Sequence, residues 1–373
     1  MTMKLLRAVA AALALASPIA HAAQVVVGQV GPMSGMESGQ GRAYAAGMQL
    51  VFNSVNAAGG VNGHTFALVR KDDGGRAEDT VEATRQLLAE AKPLVLSGYF
   101  GNRNVGELVK SGLLEKDRIA LVGYRTAEIR PESPWVYNVR ASLRDEIHKI
   151  TEHLATIGIH RLGLFYEDGP GAPALLAAAD EAARKAKAQV VAKGSYAAGT
   201  ASVASAVEVF TKQQPQAILM VSSGAAAAAF IEQYRAHGGG AQLFATSGAD
   251  IEQMSKRLSD EQMQGVAIAQ VTPSPYKIST RLAKEFTDLV ARTPNLEAAV
   301  SYAMMEGFIT AKVIVEAVRR QGARPTREGL VSALEGIDRL DLGGYLVSFK
   351  PGVRTGSRFV ELSIVGASGK IRQ

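Results

Sequence analysis

Short apolar runs and amphipathic stretches alternate along most of the chain. QVVVGQV (24–30), FALVRKD (66–72), PLVLSG (93–98) and RIALVG (118–123) are aliphatic or β-branched and bounded by Gly, Pro or Asp, which reads as strands. Their near-continuous apolarity predicts strands buried on both faces of a parallel sheet. Between the first two, Tyr44, Met48, Val51, Phe52 and Val55 recur at helical spacing while Arg42, Gln49 and Asn53 take other faces, the pattern of an amphipathic cover. A second helix is predicted over 78–91, with Val81, Thr84 and Leu88 on one face and Asp79 near its start, where a carboxylate suits the helix dipole.

The alternation resumes after WVYNVRAS. Helices are predicted over 143–157, 172–187, 202–213 and 225–237, interleaved with the strands RLGLFYED, QVVAKGSY, AILMVSS, QLFATSG and GVAIAQV. Helices over 279–292 and 296–321 follow, and the strand-like YLVSF and FVELSIV close the chain. Two α/β units, each a parallel sheet wrapped in helices with right-handed crossovers, account for this order economically. The glycine-rich VNAAGGVNG (55–63) follows a helix and precedes a strand. Gly59 or Gly60 therefore suits the left-handed position after a helix C-terminus, and Asn62-Gly63 is a turn signal. A phosphate-binding glycine loop needs the opposite order, strand then helix, so this stretch is read as punctuation.

Length and composition fit that picture: 373 residues, 47% hydrophobic and 20% charged, are enough for two domains. The N-terminus has Lys4 and Arg7 ahead of an apolar stretch (8–16), then Pro18 and the triplet Ala20-His21-Ala22, which reads as a signal peptide (1–22) cut after Ala22. Its apolar part is far shorter than the roughly 20 residues of a spanning helix. The absence of cysteine excludes disulfides and a lipid-anchored N-terminal cysteine, so a soluble protein of the periplasm is expected. The formal net charge of +6 includes Lys4 and Arg7 of the leader, and opposite charges are interspersed as in EVFTKQQPQ and DEIHKITEHL. Nucleic-acid binding, which needs a basic stripe, is not expected.

Catalytic chemistry is hard to find. His148 and His153 are five apart and do not share a helix face, no HExxH or cysteine cluster occurs, and no metal site is expected. No serine sits in a G-x-S-x-G elbow, and the Walker A and G-x-G-x-x-G patterns are missing. Asp72-Asp73 reads as a pair of turn caps at a strand end. What remains is a set of loops at the C-terminal ends of parallel strands, where open α/β sheets place ligands. They are GPMSGMESG (31–39), SGYFGNRN (97–104), GYRTAE (123–128), YEDGPG (166–171), SSGA (222–225) and TSGAD (246–250). Their glycine NH groups, hydroxyls and aromatic rings, among them Ser34, Ser38, Tyr99, Tyr166, Ser223 and Ser247, make a binding inventory. No catalytic residue and no cofactor is expected.

The segment VGQVGPMSGMESGQGRAYAAGMQLVFNSVNAAGGVNGHTFALVRKDD resembles the leucine/isoleucine/valine-type periplasmic solute-binding proteins, the receptors of ABC importers. LSGYFGNRNV, LVGYRTAEIR, VYNVRAS and LGGYLVSFKPGVRTGSRFVEL extend the resemblance over the mature chain. It implies the type I periplasmic binding protein fold: two doubly wound parallel-sheet lobes joined by a three-strand hinge, with a small ligand held in the cleft. Lobe one would take 24–139 plus 272–344, and lobe two 140–271 plus 345–373. In that family lobe one holds the ligand's carboxylate through hydroxyls and backbone NH groups, and these positions fall at Asn102, Tyr124, Arg125 and Thr126. The acidic partner of the ligand's ammonium falls at Ser247, and the aromatic lid near Ser223. Ser247 cannot supply the charge, which leaves Glu37 or Asp168 to do so; Arg125 and Tyr99, facing the cleft, would favour an anionic or aromatic ligand. The resemblance implies a monomeric transport receptor that presents its closed form to an inner-membrane permease. A periplasmic sensor using the same clamp is the alternative reading. An exported hydrolase is a third, and it would need the nucleophile elbow or metal cluster that the sequence lacks.

Overall fold

The computed structural model describes residues 24–129, 133–366 and 371–372, and the segment read as a signal peptide lies outside them. The first lobe is built from β1 (Gln24–Gly31), α1 (Ser38–Ala57), β2 (Thr65–Asp72), α2 (Ala77–Ala91), β3 (Val95–Ser97), β4 (Tyr99–Phe100), α3 (Asn102–Lys110), β5 (Leu121–Val122), β6 (Tyr124–Arg125) and β7 (Val136–Tyr137). Its main sheet has the order β2-β1-β3-β5-β7 and is parallel throughout, in register from Gln24↔Thr65 to Gly31↔Asp72 between β1 and β2. Val25 and Val27 point into a core shared with α1, whereas Val30 and Leu96 meet Leu87 and Val105 of the helices on the other face. Burial on both sides is what the unbroken apolar runs predicted.

The second lobe contains α4 (Leu143–Thr156), β8 (Arg161–Asp168), α5 (Ala172–Lys185), β9 (Gln189–Ala197), α6 (Ala204–Gln213), β10 (Ala217–Val221), α7 (Gly224–Ala236), β11 (Gln242–Ala245), α8 (Ile251–Arg257) and β12 (Ala267–Gln270). The chain then returns to the first lobe as α9 (Arg281–Arg292), α10 (Tyr302–Gln321), α11 (Arg327–Glu335) and the small ladder of β13 (Leu340–Asp341) and β14 (Leu346–Val347). It ends with β15 (Glu361–Val365) and β16 (Ile371–Arg372) at the edge of the second sheet, whose order is β16-β15-β12-β11-β10-β8-β9. That sheet is mixed rather than purely parallel, because β15 pairs antiparallel with β12 and β16 antiparallel with β15.

Three chain segments pass between the lobes. Tyr345 ties two of them: its hydroxyl donates to the carbonyls of Val139 at 3.0 Å and Val271 at 3.1 Å. The third runs beside the first, with Asn138 bridged in parallel to Thr355. Tyr345, Val347 and Phe349 were read into the second lobe, but all three are fully buried in the core of the first, so we place the last passage after Phe349.

The glycine-rich stretch behaves as read. Gly59, at φ +94°, follows the end of α1, and the Gly60 N–H donates to the Val55 carbonyl at 2.9 Å. Asn62 (φ 52°) and Gly63 (φ 79°) then turn the chain so that Val61 and His64 exchange both backbone hydrogen bonds.

Candidate functional site

The segment 124–129 lies between the lobes. β6 pairs with β4 so that Tyr99 stands beside Tyr124 and Phe100 beside Arg125. Strand alternation sends Tyr124 and Thr126 to one side and Arg125 to the other. On the first side is a cavity of about 680 Å³ whose described lining includes Tyr124, Thr126, Asn138, Arg140, Ser142 and Glu146. Both lobes therefore contribute walls.

On the other side, Arg125 enters a buried ionic cluster. Its Nη1 is 3.2 Å from Asp250 Oδ2, its Nη2 donates to the Ser247 carbonyl at 3.2 Å, and its Nε lies 3.5 Å from Glu306 Oε2. The guanidinium also sits 5.9 Å from the centre of the Phe100 ring. Arg140 continues the cluster, donating from Nη2 to Glu146 Oε1 at 2.9 Å and to Ser247 Oγ, with Nη1 3.5 Å from Glu306 Oε2. Glu146 in turn accepts the Ser247 N–H at 2.7 Å and its hydroxyl at 2.9 Å.

None of Arg125, Arg140, Glu146, Asp250 and Glu306 is more than 6% exposed. Three carboxylates thus face two guanidiniums, formally one negative charge in excess. Burial pushes the Glu146 carboxyl above its ordinary value despite Arg140 and the Ser247 donors. Burial pulls the Arg140 guanidinium down, but the charges of Glu306 and Glu146 outweigh it and hold the group above its ordinary value. Such a cluster is tolerated only because each charge finds partners; removing an arginine would leave the carboxylates two charges in excess.

A second cross-lobe contact lies at Asn102, the first residue of α3. Its Oδ1 accepts the Ala127 N–H at 2.8 Å, which turns Nδ2 toward Glu167 Oε1 of the second lobe, 3.2 Å away. Tyr196 donates to the other Glu167 oxygen at 3.4 Å and accepts the Ser223 N–H at 3.2 Å. Burial, with the Glu167 charge added, raises the Tyr196 phenol.

Arg125 and Ser247 are therefore brought together, Tyr124 and Thr126 line the cavity on the opposite side, and Asn102 and Ser223 are joined through Glu167 and Tyr196. Ser223 also caps α7, its side chain accepting the Ala226 N–H at 3.4 Å. The other sequence candidates go elsewhere. Tyr99 does not face the cleft: it is fully buried in the first lobe, with its hydroxyl 2.9 Å from that of Thr84. Tyr166 packs half-buried against the second core. Ser34 is exposed, its N–H bound to Asp72 Oδ1 at 3.2 Å, and Ser38 opens α1. Of the two acids considered as charge donors, Asp168 is exposed, whereas Glu37 accepts from Gln40 at 2.5 Å and is pushed up by burial and by Asp250.

Asp72 and Asp73 divide the turn-capping work. Burial opposes ionisation of Asp72, but hydrogen bonds from Ser34, Gly74 and Met33 prevail and lower it. Asp73 is raised by burial while accepting from Gly75, Thr80 and Asn104.

Sequence reasoning missed Arg140, Glu146, Asp250, Glu306, Glu167 and Tyr196. Glu306 carried a signal, as the one acid in the apolar run YAMMEGFITA. Asp250 ended a loop already singled out, but Arg140 and Ser247 are 107 positions apart and nothing local links them.

A sequence profile described as periplasmic binding protein matches residues 24–358. The chain belongs to that family. This binding protein has the type I fold. It superposes on a substrate-binding periplasmic protein from Ralstonia solanacearum with a TM-score of 0.86 and 35% identity, covering 94% of this chain and 99% of that one. Leu/Ile/Val-binding protein homolog 8 of Brucella abortus (strain 2308) is 23% identical over 348 residues, 88% of this chain and 84% of the relative. An amino acid binding protein of Pseudomonas aeruginosa is 35% identical over 104 residues, which span 27% of this binding protein and 28% of the relative. Among the described residues, no helix is long and apolar enough to cross a membrane.

Proposed function

We propose that this binding protein is the periplasmic receptor of an ABC importer of the branched-chain amino acid type. It captures one small ligand between its lobes by hinge closure and offers the closed form to an inner-membrane permease; it performs no reaction. The observation that carries this reading is the cavity of about 680 Å³ beside Tyr124 and Thr126, walled by residues of both lobes. Its size falls in the range of small-molecule sites, about 300–1,000 Å³. A wall drawn from two lobes is complete only when they are together, which couples occupancy to closure. The Thr126 and Ser142 hydroxyls, the Asn138 amide and the Arg140–Glu146 pair suit an amino acid, a small or aromatic carboxylate, or an amide.

The test is thermal unfolding of the mature chain, Ala23 to Gln373, against amino acids, small carboxylates, aromatic acids and amides. A ligand bound only by the folded state raises stability as RT ln(1 + [L]/Kd). A rise with one chemical class is expected, and loss of uptake of that compound on deleting the gene separates transport from sensing. A flat panel, together with no small molecule released on denaturing natively purified protein, overturns the reading.

A further inference from the structure

Arg125 sits in the segment that lines the cavity, yet alternation turns it away from Tyr124 and Thr126. Its guanidinium spans the lobes instead. From the first lobe it meets Glu306 and the Phe100 ring; from the second it meets Asp250 and the Ser247 carbonyl. Separation of the lobes would remove both second-lobe partners and leave Arg125 beside Glu306. Asp250 is shaped to receive it. At φ +53° it caps α8, with Oδ1 accepting the Gln253 N–H at 2.9 Å, and that geometry leaves Oδ2 pointing to Arg125.

We infer that Arg125 is a positioning residue, which holds the two lobes closed through Asp250 and does not contact the ligand. Its purpose rests on the receptor reading, but the latch itself does not. Part of the closing free energy then comes from the protein's own contacts, so the closed form is populated before any ligand arrives. Losing the latch lowers the closed fraction, and with it the affinity for every ligand by one common factor, leaving their ranking unchanged. A direct ligand contact would change the ranking.

The chain has no cysteine, so spin labels can be placed at two exposed sites, Glu107→Cys in the first lobe and Ser202→Cys in the second. Pulsed electron paramagnetic resonance then reads the interlobe distance in full-length mature protein stripped of ligand by unfolding and refolding. The unaltered latch should give a short-distance population. Asp250→Asn keeps the helix-capping oxygen, and asparagine tolerates positive φ, so this variant is expected to fold. It should lower the closed-to-open ratio about tenfold, as should Arg125→Met, with Arg125→Lys recovering part of the loss. If Arg125→Met fails to fold by circular dichroism, Asp250→Asn decides. A parent that is fully open without ligand, or an Asp250→Asn distribution identical to the parent's, overturns the inference. Because the distances need no ligand, this outcome is independent of whether the receptor reading survives its own test.

Discussion

Gly47 of α1 and Gly307 of α10 face each other where the two helices cross. A Cβ on Gly47 would overlap the Met304 carbonyl oxygen, and one on Gly307 would overlap that of Tyr44. The close crossing fixes Tyr44, whose hydroxyl lies 2.6 Å from that of Thr310 and whose ring meets Phe100 edge-on at 5.6 Å. Phe100 pairs with Arg125, so this crossing supports the cleft strand from below. Gly47→Ala or Gly307→Ala is expected to destabilise by about 3 kcal/mol, the upper end of ordinary overpacking, because the obstacle is backbone. Urea denaturation with an unchanged slope would measure it, and a midpoint equal to the parent's would refute the close crossing.

At the site, Thr126→Ala removes a hydroxyl from the cavity wall. Asn102→Ala removes both the anchor of the Ala127 N–H and the cross-lobe donor to Glu167. Each should weaken ligand binding by about 1–3 kcal/mol, the cost of leaving a buried polar group unpaired. Calorimetric titration with whichever panel compound binds is the measurement; unchanged affinity in both variants would separate these residues from the ligand.

Glu252 provides a pH dependence. Its Oε1 accepts the Tyr276 hydroxyl at 2.6 Å and the Tyr302 N–H at 2.9 Å, linking α8 of the second lobe to the start of α10. Burial first, then the nearby Asp250 charge, push its carboxyl up to about 7 from its ordinary 4.5. The folded state therefore holds a proton that the unfolded chain releases. The sign follows: stability from this group is fully present below pH 4.5 and is lost as pH rises through about 7. Glu252→Gln should flatten the fall in Tm between about pH 5 and about pH 8. Parallel curves for parent and variant would show that Glu252 is ionised throughout.

Glu306 is the shared carboxylate of the two buried arginines, 3.5 Å from each. Glu306→Ala should destabilise by about 1–3 kcal/mol, since Arg125 and Arg140 lose a shared acceptor while Asp250 and Glu146 still balance their charge. Glu306→Gln should recover part of that through its remaining oxygen. Denaturant midpoints of the two variants are the comparison, and a loss below about 1 kcal/mol for the alanine form would mean that water reaches the cluster.

Much of the fold was legible because strand and helix periodicity are local. The apolar spacing of Tyr44, Met48, Val51 and Phe52 gave the buried face of α1, and all four are in the core that α1 shares with α10. Other elements were misread where local signals were weak. The helix predicted from residue 296 begins at Tyr302, because Ser301 caps it by accepting the Met304 N–H at 3.2 Å; Leu296, Ala298 and Val300 still pack on the core without being helical. Helices α3, α8 and α11 were not predicted. The first and last are nine residues long and α8 is seven, too short for an apolar stripe to stand out.

The sequence by itself determined the alternation of strands and helices, the turn at Asn62-Gly63 and the loops from which the cleft is made. Each depends on side-chain spacing or backbone preference over a few neighbouring residues. Only the tertiary structure decided which members of those loops share a site. The direction of Arg125 follows from the pairing of β6 with β4, and its partners Asp250 and Glu306 come from segments 125 or more positions away. A buried charge takes its meaning from the counter-charge beside it, and that neighbour is chosen by how two sheets and a hinge close on each other.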